Sequence, residues 1–537
     1  MRSAGGPGPS AAETRAAAGH GGATRVALGI LLSRLVGLVR QRAFAHYFGN
    51  SLAADAFAFA FRIPNVLQNL LGDGVLSASF VPVYASLLAQ EDEAEARKVA
   101  GAVFSMLALL SAILVLLGVL GAPWIVSVLA PGFHGETRAL AVRLMRIVFP
   151  GVGLLVLAAW CLGVLNTHRR FFVAYAAPVA WNLALIVALL GWGGRTSQDN
   201  LAVIVAWSAV AGSFLQFAVQ LPSVLRLAGA LSLAIAVRNP HMRTVLGNFL
   251  PVVAGRGVVQ ISAWVDTVLA SLVVTGAVSA LTYAQLIYML PVSLFGMSVS
   301  AAELPAMSSE LGTDSEIAIK LRARLDAALR RVAFLVIPSA VAFLALGDMV
   351  VGVIYLSGRF TQADAIWVWG IVAGSAIGLV TAVFGRLYAS TFYALKDART
   401  PMRYAIVRVT LSIVLAAVLA LWAPRALGID VRWGVAGLTL GSGLAGWVEY
   451  AMLRRAIRAR VGPTGVPMAL LLKLWGIAAV AAAIASLARG TLAGAPPMVR
   501  SLAALGVFSV LYLGIAYAAR ITEAGAMLAR VRRRAPQ

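Results

Sequence analysis

The sequence is short of the residues on which most protein chemistry depends. Its 537 residues include one cysteine, Cys161, so no intramolecular disulfide can form and no cysteine-based metal cluster can be assembled. The five histidines (His20, His46, His134, His168, His241) are scattered, with no pair at metal-ligand spacing. That argues against a metalloenzyme, and neither a metal nor a cofactor is expected. Acidic residues are scarce, 21 Asp and Glu against 44 Lys and Arg. Charged residues of both signs make up only 12% of the chain, where a soluble protein has about 25%. No long polar linker divides the chain into separate soluble cores. No GxxxxGK[ST] motif occurs, so the chain does not hydrolyse a nucleotide itself.

What is present is apolar. The chain is 61% hydrophobic, with a mean hydropathy of +0.88. This is the composition of an integral membrane protein. The net charge of +23 would suggest nucleic acid if the basic residues formed one patch. They fall instead in short clusters between apolar runs, so membrane lipids, not nucleic acid, are the expected surroundings.

A hydrocarbon core ~30 Å thick takes about 20 apolar residues per helix. On that ruler the sequence predicts an all-α integral membrane protein of about 14 transmembrane helices. The spans lie near 25–46, 53–87, 99–121, 138–165, 171–193, 200–222, 244–272, 279–305, 331–356, 364–393, 402–422, 434–453, 466–488 and 499–519. Pro64, Pro82, Pro150 and Pro291 supply break points. Loops after even-numbered spans carry about 19 Lys and Arg, and loops after odd-numbered spans about 7, which predicts both termini on the cytoplasmic side. Residues 1–23 read as a disordered cytoplasmic tail, and residues 521–537 as a basic one able to touch anionic lipid. The stretches Gln90–Lys98 and Asp314–Arg331 read as amphipathic connectors on the cytoplasmic side, either solvated or docking a partner.

The first half recurs in the second at a shift of roughly 223–230 residues. Ile63-Pro64 aligns with Leu290-Pro291, and Ser77-Ala78 through Val81-Pro82 with Ser300-Ala301 through Leu304-Pro305. Gly132-Phe133 falls near Gly358 and Phe360, and Asn166–Arg170 near Lys396–Thr400. Six spans separate equivalent points, so the copies form a parallel repeat. This predicts an N-terminal lobe over 24–228 (helices 1–6), a C-terminal lobe over 240–460 (helices 7–12), and two further helices over 465–520. Such two-lobe proteins place a central cavity between the lobes and move solute by rocking them. A duplication retained only for packing is the alternative.

Several charges fall where lipid should be. With a rise of ~1.5 Å per residue, Arg34 lies about 14 Å into the first span, Arg40 about 22 Å, Arg62 about 13 Å into the second and Arg256 about 18 Å into the seventh. Asp55 starts the second span, and Asn65, Gln68, Asn69 and Asp73 continue its polar line. Arg143, Arg146 and Arg386 are shallow enough to snorkel. A mid-bilayer charge costs at least ~2.5–3.5 kcal/mol and usually faces a water-filled cavity. For Arg34, Arg62 and Arg256 a buried ion pair holding helices together is the alternative. Guanidinium forks match phosphate oxygens, so the pattern suits an anionic solute moved by a secondary transporter.

One long run is specific: Ser33-Arg34-Leu35-Val36-Gly37 with Arg40, Asp55-Ala56-Phe57, Arg62-Ile63-Pro64-Asn65, then Gly72-Asp73-Gly74-Val75-Leu76-Ser77-Ala78-Ser79-Phe80-Val81-Pro82-Val83-Tyr84. Ala130-Pro131-Gly132-Phe133, Gln260-Ile261-Ser262, Gly358-Arg359-Phe360-Thr361 and Lys396-Asp397 to Thr400-Pro401 extend it. The chain resembles the MurJ (MviN) family of lipid II flippases, within the multidrug/oligosaccharidyl-lipid/polysaccharide exporter superfamily. The resemblance implies export of the undecaprenyl-linked peptidoglycan precursor across the bacterial inner membrane, for cell wall synthesis. Lipid II is then the solute, and cell wall synthesis proteins are candidate partners. Arg34 and Arg40 look like the arginines that meet the diphosphate, and Asp55 and Asp73 like the acids of the second helix. With Arg62, Asn65 and Arg256 they form the candidate substrate-binding set. The last two helices would help form a groove for the polyprenyl tail. The chain departs from the family pattern at Gln68 or Asn69, where Arg is common, and at Gln285, Leu286 and Met289 on the eighth helix. Arg256 is a substitute for the charges missing there.

Two other readings stay open. One is export of a different lipid-linked oligosaccharide, or drug/cation antiport, for which Asp266 and Glu303 are the acids available. The other is a polyprenyl-phosphate-dependent membrane enzyme, whose chemistry needs a carboxylate pair or an interfacial base. Asp397 and Asp430 stand isolated.

Overall fold

The computed structural model describes residues 31–229, 239–300, 303, 307, 313–491, 494 and 496–534, apart from the side chains of 64, 73, 250, 254–263, 314, 489–491, 528 and 530–534. The expected tail over residues 1–23 lies outside the described residues. Among the described residues every regular element is helical, and one isolated bridge pairs Ser357 with Phe360. Eleven helices or helix series there are long and apolar enough to cross a membrane. Two further expected spans lie in elements outside those eleven for a compositional reason. Helix 31–48 carries Arg34, Arg40 and Arg42, and Gly434–Val461 is rich in glycine and holds Glu449. The seventh expected span falls in the helix Pro240–Ser271.

Helix starts follow local chemistry. Asp92 accepts from Glu95 N at 3.0 Å, with Glu93 and Glu95 in the first turn, and this opens the helix Glu93–Leu129. Thr313 with Glu316, and Thr361 with Asp364, form capping boxes ahead of Asp314–Ala345 and Gln362–Ile377. The two amphipathic stretches are therefore not separate connectors. After the turn at 90–92 the first runs from Glu93 without a break into the membrane-spanning helix Glu93–Leu129, and the second does so within Asp314–Ala345. The end of the chain is a helix, Thr522–Arg534, whose start is tied down where Arg330 donates to Glu523 at 3.0 Å and to Thr522 Oγ1 at 3.2 Å.

Two of the four expected proline breaks occur: the break at Phe80 falls just before Pro82, which opens the next helix, and the backbone changes after Pro291. Leu52–Leu71 and Gly135–Thr167 run through positions 64 and 150, and the second span breaks at Gly72 and again at Phe80. After Pro291 the backbone does change, into a π-helix over Val292–Met297. The tenth expected span is two helices, Gln362–Ile377 and Leu379–Ala394, hinged at Gly378.

The chain forms two compact units. One holds the described chain up to Phe48 with Ala56–Ala263, the other Gly49–Asp55 with the described chain from Trp264 onward. In the first, Trp160, Phe80 and Tyr84 centre the core. In the second, Tyr283, Tyr355 and Phe360 pack as a buried aromatic trio, with centroids 4.9–5.6 Å apart.

The repeat is visible in the backbone. Phe133 N bonds Ala130 O, and Phe360 N bonds Ser357 O. Arg169 and Lys396 both take left-handed φ, 58° and 59°, and the next residue bonds Leu165 O in one copy and Phe392 O in the other. The helix Gly135–Thr167 starts and ends 227 positions before Gln362 and Ala394.

Candidate functional site

In the first unit, the helix 31–48 carries the expected arginines. Arg34 is exposed, and Arg40 and Arg42 are half-buried. Arg40 places its guanidinium 4.9 Å over the ring of Trp181 and donates from Nη2 to Gln41 Oε1 at 3.3 Å. Trp181 belongs to the helix Pro178–Trp192, whose next residue, Asn182, lies against Gly37. Phe61 meets the same indole edge-on at 6.3 Å, which brings the Phe61–Arg62 turn to it. Behind it, a Cβ on Gly212 would stand 3.0 Å from Trp181 Cα, so the helix Gln198–Ala228 approaches closely there. Trp181 Nε1 has no acceptor among the described residues. Trp181 was not legible as a site residue. A tryptophan inside an apolar run reads as packing, and only its place under Arg40 marks it out.

Arg62, Asn65 and Asn69 share one face of the helix Leu52–Leu71, three and seven residues apart. Asn65 and Asn69 are exposed and Arg62 is half-buried. Asp73 opens the helix Asp73–Ser79 and Arg256 lies within Pro240–Ser271. The side chains of both lie outside the described residues.

Asp55 belongs to the second unit and is 1% exposed. Its carboxylate accepts from Ser279 N at 2.7 Å and Gly276 N at 2.5 Å, which caps the helix Ala277–Pro291 from outside that helix. Gly276 has φ +89°, and a Cβ there would meet Asn50 O at 2.9 Å. Asn50 donates to Asp364 at 3.1 Å, and Tyr283 donates to Gly49 O at 3.0 Å. The short segment 49–55 is thus fastened along its length.

The other acids singled out in the sequence are engaged. Glu303 pairs with Arg331 at 3.0 Å and Asp430 with Arg432 at 2.9 Å. Asp397 accepts from Thr400 N and Oγ1, and Arg460 Nη2 lies 2.8 Å away. Those hydrogen bonds, with a smaller contribution from the arginine, hold its carboxyl below the usual carboxylate range. Sequence reasoning missed an ion pair inside the second unit, Arg408 Nε to Glu449 Oε2 at 2.9 Å. The rule that picked out Arg34, an ionisable residue inside an apolar run, applies to both residues equally.

An apolar groove of about 360 Å³ opens in the second unit, lined by Leu290, Phe295, Phe334, Pro338, Phe508 and Tyr512 among others. The Tyr512 hydroxyl donates to Phe334 O at 2.7 Å, which leaves the lining nearly free of unsatisfied polar groups. Of the two appended helices it is Pro497–Ala518 that lines the groove.

A family model described as Lipid II flippase MurJ matches residues 44–512. Lipid II flippase MurJ of Burkholderia cenocepacia is 33% identical over 383 residues, covering 70% of this chain and 73% of that protein. Probable lipid II flippase MurJ of Rhizobium meliloti is 30% identical over 527 residues, 96% of this chain and 94% of its own length. Among solved structures, Lipid II flippase MurJ in an inward closed conformation superposes with a TM-score of 0.73 at 24% identity, covering 91% of this chain and 97% of that one. An inward-facing MATE family transporter of the MOP superfamily gives 0.61 at 19% identity, over 82% and 98%. These two likenesses are likenesses of fold.

Proposed function

The chain belongs to the MurJ family of lipid II flippases, and from that premise we propose that it carries lipid II from the inner to the outer leaflet of the bacterial cytoplasmic membrane by alternating access. The observation that carries the reading is the family match over residues 44–512. On this reading both termini are cytoplasmic and the exported precursor feeds cell wall synthesis. The protein is a transporter and not an enzyme.

Arg34, Arg40 and Arg62 receive the anionic diphosphate. A diphosphate must shed water to enter an apolar-walled path, and charge-assisted, often bidentate hydrogen bonds offset that loss. Support for Arg40 comes from its seat on Trp181. The ring face attracts the guanidinium and fixes its position beside the hydrogen bond to Gln41, which presets where the positive charge stands. Asn65 and Asn69 continue the polar face from Arg62. Asp55 acts on position, not on the solute, by fixing the start of Ala277–Pro291. The groove beside Pro497–Ala518 suits a polyprenyl chain, since its lining is apolar.

Depletion of the protein in its native cell tests the reading. Lipid II should accumulate on the inner leaflet while other lipid-linked precursors stay level. Accumulation of a different lipid-linked sugar, with lipid II unchanged, would overturn it.

A further inference from the structure

The second unit holds a charge cluster that the arginine site of the first unit does not use. Its members come from four helices: Tyr288 on Ala277–Pro291, Arg386 on Leu379–Ala394, Arg408 on Arg399–Ala417 and Glu449 on Gly434–Val461. By helical rise, Arg386 and Arg408 stand about 12 Å and about 14 Å into their helices from the turn at 395–398. Glu449 Oε2 takes Arg408 Nε at 2.9 Å, with the two side chains 21% and 33% exposed. Arg386 acts electrostatically on both Glu449 and Tyr288. The Phe384–Tyr450 ring contact, 6.0 Å between centroids, holds the neighbouring turns together.

The charges do not balance. One carboxylate faces two guanidinium groups, and a helix-fastening ion pair needs only one of them. Arg386 makes no hydrogen bond or ion pair among the described residues. Glu449 holds Arg408 through Nε, which leaves the terminal nitrogens of that fork without an acceptor there, and the Tyr288 hydroxyl also has none. Snorkelling accounts for a lone arginine near an interface, but not for one gathered with a second arginine, an acid and a tyrosine. An uncompensated charge at that depth is retained where it meets a solute or a water-filled path.

We infer that Arg386, with the free edge of Arg408 and the Tyr288 hydroxyl, forms a second oxyanion subsite, which takes a phosphate or carboxylate group of the lipid-linked solute. Glu449 orients Arg408 and keeps the site from carrying two unmatched charges when it is empty. The inference rests on the flippase reading and deepens it.

The test uses the full chain in lipid nanodiscs and measures its affinity for lipid II and for undecaprenyl diphosphate, the second of which lacks the sugar and peptide. Arg386→Gln should bind about tenfold more weakly, the loss expected of one charge-assisted hydrogen bond. Arg386→Lys should recover part of the loss, and Arg143→Gln should bind as the wild type. Thermal unfolding of all three should be unchanged. Weakening with both ligands assigns the subsite to the diphosphate, and weakening with lipid II alone assigns it to an anionic group of the headgroup. Unchanged affinity of Arg386→Gln and of the double variant Arg408→Gln/Glu449→Gln for both ligands overturns the inference and leaves the flippase reading standing. If the wild type binds neither ligand, the flippase reading itself falls, and the subsite with it.

Discussion

At the 227-residue offset, the first copy has Ala159 where the second has Arg386, and Trp181 where the second has Arg408. Ala159 is buried in the apolar core of its unit, and Trp181 supports an arginine where Arg408 is one. The turns around these positions hardly differ. Arg169 and Lys396 take the same left-handed backbone, followed by Arg170 in one copy and by Asp397, a capping acid, in the other. The hydrogen bonds of such a turn run between main-chain groups, so the side chains after it are free to diverge in sign. The two copies have one backbone plan and opposite distributions of charge. In the first, arginines come on the two leading helices, and one of them, Arg40, rests on the ring of Trp181. In the second, they come late and are offset by an acid.

Packing separates the copies as well. Gly151 lies inside the unbroken helix Gly135–Thr167, while its counterpart Gly378 is the hinge between two helices. A Cβ on Gly151 would meet the Ser213 hydroxyl at 3.1 Å, and one on Gly378 would meet Gly443 Cα at 2.6 Å. Each copy presses a glycine against a neighbouring helix, but backbone is far closer in the second: 2.6 Å to Gly443 Cα, against 3.4 Å from Gly151 to Val210 Cα.

The largest expected effect lies in the first copy's arginines. Arg34→Ala and Arg40→Ala should each fail to support growth of a flippase-depleted strain at equal membrane abundance, since losing a charged hydrogen-bond partner costs ~2–5 kcal/mol. Arg34→Lys should be impaired but less so, because the charge remains while the planar fork is lost. Full growth with both alanine variants would move substrate capture away from the first copy. Next is Asp55→Ala, which leaves the N–H groups of Gly276 and Ser279 buried without an acceptor. At ~1–3 kcal/mol for each orphaned group, thermal unfolding of the purified protein should show a clear drop in midpoint, and an unchanged midpoint would rule out the cap as a structural support. The smallest effect sharpens the packing contrast. Gly378→Ala should destabilise by ~1–3 kcal/mol, as overpacking against backbone does. Gly151→Ala should cost less, since the Ser213 hydroxyl can rotate away. Equal losses in the two variants would mean that the hinge is no tighter than the straight helix.

Much of this was legible from residue order, because hydrophobic length and charge position are properties of the chain itself. The apolar runs placed the helices, the deep arginines marked the first unit, and the repeat emerged near the offset that the backbone hydrogen bonds give. The breaks were not legible in the same way. Proline removes a donor, yet a long apolar helix carries it through positions 64 and 150; the break at Phe80 does fall just before Pro82, while those at Gly72 and Gly378 come with no proline beside them. Asp55 read as an acid for the solute because nothing in the sequence shows the two N–H groups more than 200 positions away that its carboxylate meets.

By itself, then, the sequence determined that the chain is a helical membrane protein, duplicated within, with arginines set in apolar helices and the motif run of one transporter family. Burial of apolar length and the cost of charge in lipid are read residue by residue and need no partner. Tertiary structure decided which arginine rests on Trp181, that Asp55 caps a helix, and that Arg386, Arg408 and Glu449 form one cluster. Each of these depends on groups far apart in the chain meeting within a few ångströms, a distance that packing sets and residue order does not contain.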